Sequence, residues 1–187
     1  MTISFMRHGK PALVECGWVT PAQMARWIER YDLSEVGPQD IPTSSYLRTQ
    51  SADVVATSTA ARAMSSARLL GRTPDVLDPV FGEAELPFAL INFPRLPPSI
   101  WAAVFRIAWF FGYARSAESI RNTKARAKAA AIQLVALAEE GSVLLIGHGI
   151  MNRLIAKELS AMGWRGKVPQ RAHWGVSTYV ETTPPGA

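Results

Sequence analysis

The 187-residue chain is 48% hydrophobic and 19% charged, the balance of an ordinary globular domain long enough to bury a core without staples. Its one cysteine, Cys16, excludes an internal disulfide, and no Cys/His cluster has metal-ligand spacing, so neither metal nor cofactor is expected. The net charge of +5 would suit an anionic small molecule or a nucleic acid, but the positive residues are scattered.

Ile3 to Met6 is a short apolar run ended by Gly9 and Pro11, which reads as a buried strand entering a loop. Arg7 and His8 emerge where that strand stops, the place where open α/β sheets keep their chemistry. No charged segment leads into a long apolar run, so no signal peptide is read and a cytoplasmic location is expected. Cys16 follows in the first loop, where nothing supports a reactive role. Thr20, Pro21 and Gln23 form a helix start, and a helix is predicted from Pro21 to about Tyr31. Asp32 to Tyr46 reads as loop, with a short helix near Ser44 to Gln50.

Ala52 to Thr57 is the second strand candidate, with Ser58 and Thr59 as the cap of an alanine-rich helix from Ala60 to Leu70. Arg62 then falls in that helix's first turn, where a cation opposes the helix dipole unless an anion is bound nearby. Arg72 to Pro98 is turn-rich, with Val76 to Leu77 a possible edge strand and two carboxylates, Glu83 and Glu85, in an apolar setting. If that segment is extended, the two carboxylates point to opposite sides and only one faces a site. Ile100 to Tyr113 is aromatic, carries Arg106 and is too short to span a bilayer. It is read as a lid or core helix, with residues 81–115 as a specificity insertion in a single domain; no membrane partner is expected, although an exposed aromatic stripe would favour a homodimer.

A long amphipathic helix from about Ser116 to Glu140 follows, closed by Gly141. Arg121, Lys124, Arg126 and Lys128 read as its solvated face, so no nucleic-acid partner is expected. Ser142 to Ile146 is the clearest buried strand and delivers His148 to the start of a helix from Ile150 to Met162. Val176 to Glu181 is the last strand, and His173, beside Trp174 in a loop, is given no catalytic role.

Strands alternating with helices imply a mostly parallel sheet in a three-layer αβα fold, which brings the ends of three strands to one edge. Arg7, His8, Arg62 and His148 would converge there. Two guanidinium groups around two imidazoles serve stability poorly, since like charges repel and the histidines lose protons. Around a phosphate they make sense: guanidinium forks bind its oxygens and a neutral imidazole can attack phosphorus.

These residues resemble the histidine phosphatase superfamily, branch 1, the phosphoglycerate mutase-like clan. The likeness covers Ile3 to about Leu159 and rests on Arg7-His8-Gly9, on Ser58-Thr59-Ala60-Ala61-Arg62, on His148-Gly149 after the Val-Leu-Leu-Ile strand, and on Glu118-Ser119 with Arg126. It implies a phosphoglycerate mutase-like fold and metal-independent hydrolysis of a phosphorylated small molecule. His8 would be the nucleophile, Arg7, Arg62 and His148 would bind the phosphoryl group, and Glu83 would be the general acid in preference to Glu85. Lys10-Pro11 stands where many members carry Glu-Thr. Ala12 to Thr20 lacks the asparagines of the mutases, which favours hydrolysis over phosphoglycerate mutase-type transfer. A protein phosphohistidine phosphatase and a phosphate-binding module without turnover are the rival readings.

Overall fold

The computed structural model describes residues 1–13 and 17–182, so Cys16 lies outside the described residues. Its frame is one six-stranded sheet. In chain order the strands are β1 (Thr2–Arg7), β2 (Val54–Thr57), β3 (Val76–Leu77), β4 (Val143–Gly147), β5 (Trp164–Gly166) and β6 (Val176–Glu181), arranged β3-β2-β4-β1-β6-β5. The neighbours β3, β2, β4 and β1 are parallel, while β6 runs antiparallel to both β1 and β5. The helices are α1 (Met24–Asp32), α2 (Thr43–Gln50), α3 (Ala61–Leu69), α4 (Pro98–Phe110), α5 (Ile120–Glu139) and α6 (Gly149–Ala161).

The layering follows from strand period. Along β1 and β4, Ile3, Phe5, Val143 and Leu145 face one side and pack with Ala127, Ala131 and Leu134 of α5 and Ile155 of α6. Met6, Leu144 and Ile146 point the other way, onto Ala67 of α3, Leu70 and Trp174. Every residue of β4 is buried, as expected of a parallel strand covered on both faces. Truncating Leu144 or Leu145 to Ala would therefore cost about 2–5 kcal/mol.

Several local expectations need correction. Thr20 and Gln23 do form the reciprocal capping bonds, yet regular α-helix begins only at Met24. The cap position of α3 is Ala60, whose side chain has no polar atom to cap with; Ser58 lies two residues before it, where its Oγ accepts the Ala60 N–H and bonds His148. Arg126 leaves the solvated face of α5 and pairs with Glu118 at 2.7 Å, whereas Arg121, Lys124 and Lys128 are exposed. Strand β5 was not predicted: three residues, two of them exposed, carry no periodic signal.

Candidate active site

The parallel register sets three loops at one level. Met6 of β1 and Thr57 of β2 both lie beside Ile146 of β4, so His8, Ser58 and His148 leave the sheet together at its C-terminal edge. The imidazole rings of His8 and His148 stand 5.1 Å apart between centroids, and the ring of His173 lies 5.3 Å from His8 on its other side. All three histidines of the chain thus share one site, and His173 is the member sequence reasoning left out. It comes from the loop before β6, and a lone His-Trp pair gave no signal of that return.

Each ring's hydrogen bonds decide what its nitrogens can do. Nδ1 of His8 meets the carbonyl of Gly9 at 2.7 Å. A carbonyl only accepts, so Nδ1 holds the proton and Nε2 keeps its lone pair. The same reasoning applies to His173, whose Nδ1 donates to the His8 carbonyl at 2.9 Å. Nε2 of His148 bonds Ser58 Oγ at 2.7 Å, while its buried Nδ1 has no protein partner. Burial is the main cause holding all three imidazoles below their ordinary basicity. Arg62 adds to it at His8 and His148, as Arg7 does at His173. At neutral pH His8 is therefore an uncharged base.

The arginines are fixed but not saturated. Nη1 of Arg62 donates to Asp32 at 3.1 Å and its guanidinium lies 4.6 Å over the Tyr31 ring, while its buried Nε has no protein partner. Nη1 of Arg7 donates to the Arg171 carbonyl, and its Nε is likewise buried and unpartnered. Buried polar hydrogens normally find acceptors. Among the described residues, three of the five buried side-chain atoms without a partner belong to Arg7, Arg62 and His148.

Glu83 and Glu85 take different partners but both line the same cleft, so the expectation that only one of the two carboxylates faces the site is not met. The carboxylate of Glu83 accepts the N–H groups of Ile150 and Met151 at the start of α6 (3.2 and 3.0 Å) and that of Ala84 (3.0 Å). Glu85 instead accepts the N–H of Glu118 at 2.5 Å. Arg126 holds the Glu83 segment from beneath by donating to the carbonyls of Val80 and Gly82, while its ion pair ties it to Glu118. Burial alone would raise the Glu118 carboxyl, but hydrogen bonds from Arg126 and Thr123 outweigh it and hold the group below its ordinary value. Arg7, Arg62, Glu83, Glu85 and Gly149 line a cleft of about 1580 Å³, whereas the buried His8 and His148 are not among its lining residues.

Other residues hold the frame and carried no sequence signal of their own. Asn152 of α6 accepts from the His148 N–H and donates to the Met6 carbonyl, which locks the helix start to β1. Ser66 Oγ accepts the Gly9 N–H at 2.9 Å and donates to the Arg62 carbonyl at 2.6 Å. At Gly9 the loop passes so close to Trp174 that an added Cβ would sit 2.3 Å from its ring. Among the described residues no group of His, Cys, Asp and Glu is arranged to hold a metal ion.

Solved structures share this fold. An open reading frame product of Mycobacterium tuberculosis superposes with a TM-score of 0.60 at 16% identity, covering 95% of this chain and 89% of the other. A phosphoserine phosphatase from Entamoeba histolytica, solved with 3-phosphoglyceric acid, gives 0.59 at 14% identity over 96% and 90%. A mycobacterial glucosyl-3-phosphoglycerate phosphatase gives 0.54 at 20% identity over 84% and 78%. Among curated proteins no sequence matches significantly. Residues 3–178 match the family model of the histidine phosphatase superfamily, branch 1, and the chain belongs to that superfamily.

Proposed function

We propose that the protein hydrolyses phosphate monoesters through a phosphohistidine formed on His8. The observation that carries this reading is the set of buried nitrogens without a protein partner on residues close to His8, whose Nε2 is free: Nε of Arg7, Nε of Arg62 and Nδ1 of His148. Donors fixed in a dry site toward a developing negative charge supply transition-state stabilisation without reorganisation. Nε2 attacks phosphorus as the ester oxygen leaves, and Glu83 supplies that oxygen with a proton. Water then attacks the phosphohistidine, releasing inorganic phosphate and restoring the imidazole.

His148 donates from Nδ1, which requires Nε2 to accept the Ser58 hydroxyl hydrogen. Ser58 thereby sets the tautomer. Residues 81–115 act as the cover over the cleft, where Leu86, Phe88 and Phe110 give an apolar lining for the organic part of the substrate. Hydrolysis of p-nitrophenyl phosphate in the presence of a chelator tests the activity. An acid-labile phosphoenzyme should form in the wild type and vanish, with turnover, in His8→Ala. Full activity in that variant would overturn the mechanism.

A further inference from the structure

Helix α4 has three faces at 100° per residue. Trp101 and Phe105 are buried against α1 and the 86–96 loop, and Trp109 is buried with its indole N–H donating to the Glu118 carbonyl. Ala102, Arg106 and Phe110 line the cleft. The remaining stripe, Ile100, Val104, Ile107 and Phe111, falls within ~60° of arc and faces solvent, with Phe111 87% exposed. The loop that leads into the helix adds two more exposed apolar residues, Leu90 and Phe93, 86% and 79% exposed. That loop is tied to the helix at both ends, because Leu96 nearly adjoins Pro98 and the Phe88 carbonyl accepts the Tyr113 hydroxyl. Apolar side chains grouped on an exposed helix face mark an interaction site on many proteins.

Charge identifies the occupant. Residues 86–117 contain three arginines and neither Asp nor Glu. Two of them, Arg95 and Arg115, are exposed in the segments that flank the helix. A second copy set on this face by a twofold axis would meet these arginines with its own, and no carboxylate of the patch would answer them. An anionic bilayer answers both features, taking apolar side chains into its interface and arginines at its phosphates. We propose that the outward face of α4, with the 90–95 loop, seats the protein on an anionic lipid surface. No helix among the described residues is long and apolar enough to cross a membrane, so the seat is interfacial. Since Phe110 borders both the cleft and the stripe, the cleft opens beside the lipid. The proposal stands on this surface alone and not on the catalytic reading.

Sedimentation of the full chain with vesicles of phosphatidylcholine, with and without phosphatidylglycerol, tests it. The wild type should pellet with the anionic vesicles only, and added salt should weaken the binding. Replacing two of the exposed apolar anchors in the double variant Ile107→Glu, Phe111→Glu should lower partitioning by about a hundredfold or more. Arg95→Glu with Arg115→Glu should weaken anionic binding while leaving the stripe intact, and it serves as the second probe if the first variant fails to fold. Both variants should hydrolyse p-nitrophenyl phosphate as the wild type does. Equal sedimentation with both vesicle types, none with either, or wild-type sedimentation by both variants overturns the proposal. So does a dimer that the first variant dissociates without any vesicle binding. A wild type that pellets but hydrolyses nothing would refute the phosphatase reading and leave the docking surface standing.

Discussion

Ser58→Ala is the sharpest test of the reading of His148. The Ser58 side chain is fully buried, and its Oγ both faces His148 Nε2 at 2.7 Å and accepts the Ala60 N–H at 3.3 Å. Removing it leaves a buried imidazole nitrogen and an amide without their partner, a loss of about 1–3 kcal/mol in stability. The effect on catalysis is separate. In the proposed mechanism the phosphoryl group takes the proton of His148 on Nδ1, and without a donor at Nε2 that tautomer loses one buried hydrogen bond, about 1.4–2.7 kcal/mol or a 10- to 100-fold fall in kcat. Steady-state kinetics with p-nitrophenyl phosphate should show the fall mainly in kcat, orthovanadate should bind correspondingly less tightly, and Ser58→Thr should recover most of both. A Ser58→Ala variant with the stability loss but kcat within twofold of wild type would show that Ser58 supports the fold only and that His148 does not depend on it.

The other predictions use different parts of the site. Glu83→Gln should slow esters with poor leaving groups by about 10²–10⁴ while sparing p-nitrophenyl phosphate, whose leaving oxygen needs no proton; equal losses on both would remove Glu83 from the acid role. Acid should unfold the protein early. His8 and His148 stay unprotonated in the fold below the value near 6.5 at which the unfolded chain binds protons, so stability falls with pH from there downward. The slope reaches up to about 2.7 kcal/mol per pH unit for the two buried rings. Urea midpoints between pH 7 and 5 would measure it, and a flat profile would contradict the burial argument. Gly9→Ala drives a methyl group to 2.3 Å from the Trp174 ring, so thermal unfolding should show a loss of several kcal/mol together with lost turnover. An unchanged melting temperature would mean that Trp174 yields freely.

Much of this protein was already decided by residue order. The apolar run Val143 to Ile146 reads as a strand covered on both sides, and with Ile3 to Met6 and Ala52 to Thr57, of which Val54–Thr57 forms the strand, it implies a parallel sheet whose loops meet at one edge. Arg7, His8, Arg62 and His148 were legible because each adjoins such a strand or opens the helix after it, positions fixed by local periodicity. Tertiary structure alone decided the rest. His173 arrives across 165 residues to bond the carbonyl of His8, and Ser58 reaches His148 once β2 and β4 are paired. Glu83 became distinguishable from Glu85 only when α6 presented its first amides to one of the two carboxylates. The three faces of α4 tell the same story, since its apolar residues are alike in sequence and differ only in whether core, cleft or solvent lies opposite. Short-range pattern sets which way a chain segment turns its side chains; what those side chains meet depends on pairings between distant segments, and no local periodicity encodes them.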